Sequence, residues 1–204
     1  LVWLRGVFVR SKDCQPNAGP DYERGHHRAL YKRSARSRAS DSQRDMKTFP
    51  ASQLIINADG SAFHLHLKPE FLADKVILVG DQDRVNMVAS FFDEGSIECD
   101  VQSREFHTIT GKYQGKRISC ISTGIGTDNC DIVMNEIDAL ANIDFATRTE
   151  KSEKRVLDIV RIGTCGGMQE DIPLGTFLVS QKSIGFDGVL AFYEDRDKIA
   201  DLGF

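Results

Sequence analysis

The chain has 204 residues, of which 41% are hydrophobic and 27% charged, the proportions of an ordinary globular protein. Its 26 Lys and Arg against 30 Asp and Glu give a net charge of −4, which argues against a protein built mainly to hold nucleic acid. The longest apolar run, residues 76–79 with their neighbours, is far shorter than the roughly 20 residues that span a bilayer. We therefore expect neither a nucleic acid nor a membrane as a partner.

The charge is unevenly distributed along the chain. Residues 1–45 hold ten Lys or Arg against five Asp or Glu, a net charge of +5, which leaves −9 for the remainder. They show no sustained apolar period, so we expect a basic leader that is disordered or not native, with Met46 as the natural start. A basic nucleic-acid arm is the alternative. Residues 46–204 then form the folded domain.

The number and spacing of the five cysteines indicate the redox state of the protein's compartment. Their number is odd and no Cys-x-x-Cys pair occurs. This usage favours reduced thiols in the cytoplasm over a disulfide framework or a zinc site.

Strand and helix patterns alternate from Gln53 onward, which predicts an α/β fold. A turn at residues 58–60 follows a short β-like segment, and Pro69 opens a short helix. Residues 105–122 form a predicted hairpin, with its loop at 111–115. The other expected strands are 54–57, 75–79, 156–162 and 176–181, and the expected helices are 83–92 and 128–142, the latter capped by Thr127 or Asp128.

Glycine-bearing loops follow three of the predicted strands, where ligands bind in such sheets. In the first loop, Gly80 lets a ligand approach the backbone, and Arg84 can offer its planar fork to a phosphate. A solvated Arg84 is the alternative. The second loop begins at Thr123 like a dinucleotide fingerprint, but Asn129 occupies the third glycine position. We expect it to be a tight strand-to-helix turn that shapes a pocket wall.

The third loop follows an arginine inside an apolar strand. Arg161 is costly to bury unless it is paired, either with a carboxylate of the protein or with a bound anion. The hydroxyl and glycines that follow directly, Gly163-Thr164-Cys165-Gly166, favour a phosphate site over a structural ion pair.

Two further residues stand out. Arg104, taken alone in its strand-like stretch, indicates a surface charge. His64 and His66 flank Leu65 with the spacing of one strand face, which a metal pair would use. No third ligand presents itself in the sequence, and we predict no metal site.

Taken in order, these segments resemble the nucleoside phosphorylase family, and its uridine phosphorylase branch most closely. The resemblance covers residues 52–204. The matching segments are Phe63-His64-Leu65, Gly80-Asp81-Gln82-Asp83-Arg84-Val85, Arg104-Glu105-Phe106, Ser122-Thr123-Gly124-Ile125-Gly126, Arg161-Ile162-Gly163-Thr164 and Phe186-Asp187-Gly188.

The resemblance implies a mixed central β-sheet flanked by helices, and phosphorolysis of a pyrimidine nucleoside with inorganic phosphate as co-substrate and no metal or organic cofactor. Arg104 and His64 would reach a neighbouring subunit's site in a dimer or hexamer, at the phosphate and near the ribose 5′-hydroxyl. Thr123, Cys165 and Gly166 are further expected substrate contacts. The remaining phosphate ligands would be Gly80, Arg84, Arg161 and Thr164, with Arg84 and Arg161 catalytic.

The chain departs from the family pattern at three points. Gln82 replaces the usual proline, and Cys165 replaces a Thr or Ser, which weakens a hydroxyl contact because a thiol is a poor donor. The family's base- and ribose-binding segments lie beyond Phe204, so we expect a truncated chain whose own activity is in doubt. A purine nucleoside phosphorylase, a related hydrolase, and a fragment that only binds or oligomerises are the alternatives.

Overall fold

The computed structural model describes residues 3–9, 48–180 and 184–193, the first range by its backbone path alone. The two helices are α1 (Gln82–Ala89) and α2 (Thr127–Asn142), and short 3₁₀ turns span Pro69–Phe71 and Val189–Phe192. The strands are β1 (Trp3–Val9), β2 (Lys75–Val79), β3 (Cys99–Ser103), β4 (Phe106–Tyr113), β5 (Lys116–Ser122), β6 (Ile143–Asp144), β7 (Thr149–Glu150), β8 (Asp158–Gly163) and β9 (Phe177–Val179).

Seven of these strands form one mixed sheet in the order β3-β4-β5-β2-β8-β1-β9. The central strands β5, β2, β8 and β1 run parallel to one another, whereas β3, β4 and β9 pair antiparallel with their neighbours. Strands β6 and β7 form a separate two-stranded ribbon. The expected mixed α/β architecture is confirmed.

The two helices cover opposite faces of the sheet. Successive residues of a strand point to opposite sides, so the residues of β2 show which helix packs on which face. Val76 and Leu78 of β2 belong to the larger core cluster, which also holds the fully buried stripe of α2. Val79 of the same strand belongs to a smaller cluster with Val85 of α1. The stripe predicted for α2 is confirmed and comprises Val133, Ile137 and Leu140.

The parallel strands bring three loops to one edge of the sheet. Val79 pairs with Ser122, and Leu78 pairs with Arg161, so the carboxyl ends of β2, β5 and β8 lie level. The loops that begin at Gly80, Thr123 and Thr164 therefore start side by side. This arrangement is the one on which the sequence prediction of a ligand site depends.

Several predicted boundaries shift in the structure. The β4–β5 turn consists of Gln114 and Gly115, and not of residues 111–115. Helix α2 begins after Gly126, whose φ of +106° favours glycine, and no side chain caps it, so the predicted cap at Thr127 or Asp128 is wrong. The β-like segment 54–57 is reduced to one bridge between Ile56 and Ala62.

Most of the expected leader, 1–45, lies outside the described residues. Its described part, residues 3–9, is strand β1, between β8 and β9. The expectation for the leader as a whole stays a prediction. Residues 181–183 and 194–204 also lie outside the described ranges. No helix in the described part of the chain is long and apolar enough to cross a bilayer.

Gly111 lies within β4, where the ring of Phe92 covers it. A methyl group at this position would lie 2.6 Å from Cδ2 of Phe92, inside van der Waals contact. We expect Gly111→Ala to lower the free energy of unfolding by about 1–3 kcal/mol, the usual cost of overpacking. Chemical denaturation measures the change.

Gly188→Ala is the matched control, because a methyl group there would meet nothing within 4 Å. Combining Gly111→Ala with Phe92→Leu should restore part of the lost stability, since the smaller side chain can make room. Equal stability of the Gly111→Ala and wild-type proteins would contradict the contact.

Candidate functional site

The first loop of the site joins β2 to α1. Asp81 has extended backbone angles and caps the helix, since its carboxylate accepts a hydrogen bond from the backbone N–H of Arg84 at 2.8 Å. The same carboxylate forms an ion pair with the Arg84 guanidinium, 2.9 Å away. Helix capping thus holds the Arg84 side chain at the start of α1, beside the end of β2.

Two guanidinium groups converge beside Gly80. A methyl group built on this residue would lie 3.9 Å from Nη1 of Arg84 and 4.0 Å from Nη2 of Arg161, so the two nitrogens are within about 8 Å of each other. Arg161 is half-buried in β8 and not fully buried. No carboxylate among the described residues pairs with it, so the ion-pair alternative is not realised there.

This arrangement carries more positive than negative charge. In the described part of the chain, one carboxylate, that of Asp81, forms an ion pair with one of these two arginines, Arg84. Arg161 thus has no carboxylate partner among the described residues, and planar guanidinium groups can bind phosphate and carboxylate oxygens in a bidentate way. With no side chain on Gly80, such an anion can approach the backbone between them.

The second loop forms the tight strand-to-helix turn that the sequence predicts. Thr123 is fully buried, and its backbone N–H donates to the carbonyl oxygen of Val79 at 2.8 Å. Its hydroxyl lies 2.9 Å from the carbonyl oxygen of Gly124. Gly124 has a φ of +69°, and a methyl group there would lie 2.8 Å from Cγ of Glu105. The turn therefore requires glycine.

The third loop starts at the same edge of the sheet but lies open to solvent. Thr164, Cys165 and Gly166 are all exposed. Cys165 lines a cavity of about 320 Å³ together with Leu178 and Val179. The ligand roles of these three loop residues stay predictions.

A second group of predicted residues lies around the Phe63 ring. The Arg104 guanidinium is 5.7 Å from its centroid, and the His64 ring packs edge-on against it at 4.8 Å. His64 lies in a turn, since His66 donates its backbone N–H to the carbonyl oxygen of Ala62, so the predicted strand face with two histidines is wrong. The structure thus brings the Arg104 and His64 side chains together at the ring of Phe63.

Glu136 of α2 fixes His64, a role that the sequence reasoning missed. Its carboxylate accepts hydrogen bonds from the backbone N–H groups of His64 and Leu65, each at 2.9 Å, and contacts Nδ1 of His64 at 2.7 Å. The Glu136 side chain is only 14% exposed. With Nδ1 so engaged, Nε2 is the ring nitrogen left for a ligand. The one sequence signal is an acidic residue directly beside the apolar stripe of a predicted helix.

Arg104 lies in a two-residue turn between β3 and β4, and not in a strand-like stretch. Ser103 pairs with Phe106 across this turn. Arg104 has a φ of +54°, a left-handed conformation that favours glycine. A non-glycine residue in this conformation is a frequent feature of functional sites, where surrounding contacts impose it. Gln82 supplies one such contact, which the sequence reasoning also missed, by donating to the Arg104 carbonyl oxygen.

The cysteines of the described part, at positions 99, 120, 130 and 165, all carry free thiols. Burial raises the pKa of Cys99 to about 11 and that of Cys120 to about 12, so neither forms a thiolate at neutral pH. These two thiols pack in the core, whereas Cys130 is half-buried in α2 and Cys165 is exposed in the third loop.

Comparison with known proteins identifies the family of the chain. Residues 74–202, more than half of the chain, match the phosphorylase superfamily. The chain belongs to this superfamily. It is 31% identical over 159 residues to a uridine phosphorylase from Thermococcus kodakarensis, covering 77% of this chain and 52% of the relative. It is 33% identical over 122 residues to a DeoD-type purine nucleoside phosphorylase from Alkaliphilus metalliredigens, covering 60% of this chain and 46% of the relative.

Solved structures of the superfamily have the same fold. A Trypanosoma brucei nucleoside phosphorylase that shows uridine phosphorylase activity is 38% identical with a TM-score of 0.54, covering 59% of this chain and 41% of that one. A Vibrio fischeri uridine phosphorylase is 25% identical with the same TM-score, covering 66% and 49%. The chain spans about half the length of the curated relatives it matches.

Proposed function

We propose that the protein is a phosphorylase of pyrimidine nucleosides, with uridine as the preferred substrate and uracil and ribose 1-phosphate as products. The observation that carries this proposal is the convergence of Arg84 and Arg161 on Gly80 at the carboxyl edge of the sheet. Uridine phosphorylases among the similar proteins support the pyrimidine preference. Because the chain spans about half the length of the relatives it matches, the activity is proposed for the whole protein.

In the proposed reaction, a phosphate oxygen attacks C1′ of the ribose. The C1′–N bond breaks, its electron pair leaves with the base, a C1′–O bond to phosphate forms, and the base takes up the proton that the hydrogen phosphate loses. The sugar passes through an oxocarbenium-like state, as in other glycosyl transfers. The bound phosphate dianion lies beside this developing cation and stabilises it, so the reaction needs no metal or organic cofactor.

The proposed roles come from the family resemblance, and the meeting of Arg84 and Arg161 at Gly80 supports them. The guanidinium groups of Arg84 and Arg161 hold the phosphate and aim one oxygen at C1′, a positioning effect that supplies several kcal/mol. The backbone of Gly80 and the hydroxyl of Thr164 are the other phosphate ligands in this chain. Cys165 and Gly166 border the nucleoside, and the fully buried Thr123 shapes the pocket wall beside it through its turn.

Arg104 and His64 serve the site of a neighbouring subunit in this proposal. Their side chains share the ring of Phe63, whereas Arg84 and Arg161 meet at Gly80, and the family resemblance implies that the first pair reaches a neighbouring site. Two complete sites then require two chains, as in a symmetric dimer, in which each chain gives and receives the same residues. We infer a homodimer, or a hexamer built of such dimers, in the cytoplasm, where the free thiols stay reduced.

The experiment is an assay of the full-length protein with uridine and with inosine, each with and without phosphate. We expect phosphate-dependent release of uracil, with a higher kcat/KM for uridine than for inosine. A preference for inosine would make the protein a purine phosphorylase, the alternative that its similarity to a DeoD-type enzyme favours. Base release without phosphate would identify a hydrolase, and no turnover of either nucleoside would leave a binding protein.

A further inference from the structure

We propose that Gln82 is a positioning residue that holds the Arg104 turn, and with it the Arg104 guanidinium, in place for phosphate. The inference rests on the proposed function. Gln82 occupies the first position of α1, two residues after Gly80 and two before Arg84. A single turn of helix thus carries Arg84 and the side chain that holds Arg104.

Both ends of the Gln82 amide are used. Its Nε2 donates to the carbonyl oxygen of Arg104, and its Oε1 accepts from Nε2 of Gln102, with 2.5 Å between the heavy atoms in each contact. Because one end must donate and the other must accept, the amide has one orientation here. Gln82 therefore joins the α1 loop to both β3 and the turn that follows it.

The Arg104 turn needs such a contact. The left-handed conformation of Arg104 is sterically unfavourable for an L-residue, so the turn would relax if nothing held it. Gln82 binds the carbonyl oxygen of Arg104, and the Ser122 hydroxyl donates to the carbonyl oxygen of Glu105 at 2.8 Å. Both peptide carbonyls of the turn are thus held by side chains from the carboxyl edge of the sheet.

The identity of residue 82 matters for this reason. Proline, which the family resemblance implies at this position, has no side-chain N–H and cannot make the bond to Arg104. Glutamate has the same length but only oxygens, so it can keep the contact with Gln102 and not the one with Arg104. The donor, and not the size or the acceptor, is the property that the structure assigns to Gln82.

The experiment compares Gln82→Met with the wild-type full-length protein. We expect KM for phosphate to rise about 3–10-fold, the value of one hydrogen bond, while KM for uridine stays within twofold. Gln82→Glu should raise KM for phosphate at least as much, because it too lacks the donor. Gln102→Met, which leaves the bond to Arg104 intact, should have a smaller effect.

Two controls separate positioning from other causes. Gln114→Glu places the same charge change in the exposed β4–β5 turn, at the far end of the hairpin from Arg104, and should leave both KM values unchanged. In an Arg104→Ala background, Gln82→Met should add no further rise in KM for phosphate, because the residue through which it acts is gone.

The outcomes distinguish the two proposals. If the wild-type protein fails to cleave uridine with phosphate, the proposed function fails. If it is active and Gln82→Met leaves KM for phosphate unchanged, or has its full effect in the Arg104→Ala background, the role of Gln82 is overturned. An equal rise in KM for uridine would also overturn it, as the mark of general damage to the site.

Discussion

Replacing Arg161 by alanine should lower kcat/KM for phosphate by about 10²–10³-fold, the usual cost of losing one charged donor at a developing charge. Arg161→Lys should lose less, since it keeps the charge but not the planar fork. Arg84→Ala should act in the same direction. Steady-state kinetics with varied phosphate, together with calorimetric titration of phosphate alone, measure both effects.

The stability of these variants is part of the prediction. No carboxylate in the described ranges pairs with Arg161, so its loss should leave the free energy of unfolding nearly unchanged. Arg155→Ala is the contrasting control, because Arg155 bonds to Asp74 at 2.7 Å and to the carbonyl oxygen of Leu72 at 2.8 Å. It should destabilise the fold without changing phosphate affinity. Unaltered phosphate binding in Arg84→Ala and Arg161→Ala would show that the anion site is misplaced.

Arg104→Gly and Arg104→Ala should lose phosphate turnover equally, by about 10²-fold, yet differ in stability. Glycine adopts a positive φ without steric cost, whereas alanine keeps the strain. We therefore expect the glycine variant to be more stable than the alanine variant by about 1 kcal/mol. Thermal and chemical unfolding give the difference, and kinetics with phosphate give the loss.

Mixing subunits tests where Arg104 acts. If it serves the neighbouring site, a mixed dimer of one Arg104→Gly chain and one Arg161→Ala chain holds one intact site. Random mixing of two-fold dimers should then restore about a quarter of wild-type activity. Activity that stays at the level of the single variants would mean that each chain builds its own site.

Equal stability of the Arg104→Gly and Arg104→Ala variants would contradict the strained conformation of the Arg104 turn.

The sequence predicted the parts of the fold that depend on local pattern. Strand β2 is a short apolar run that ends in glycine, and it has the predicted bounds. The apolar stripe of α2 follows from its helical spacing, and it is buried as predicted. The position of Gly80, Thr123 and Thr164 at one edge follows from the rule that parallel strands share an edge.

Contacts between distant segments could not be predicted in this way. Glu136 lies 72 residues from His64, and Gln82 lies 22 residues from Arg104, so no sequence period relates the members of either pair. The backbone conformation of Arg104 could not be predicted from the sequence pattern either, since arginine is not a residue type that indicates a left-handed turn. The loop residues pointed to phosphate at Arg84 and Arg161 and the family resemblance gave their catalytic role, while the structure adds that both guanidinium groups lie beside Gly80.

The order of the sheet has a consequence for biosynthesis. Strand β2 lies between β5 and β8, yet β8 emerges from the ribosome about eighty residues after β2. Until then, the nascent chain presents one side of β2 as an open, apolar strand edge, a template for association with other chains. The last of these strands to be translated also delivers Arg161. We therefore expect the nascent chain's demand for chaperones to fall once β8 has been translated.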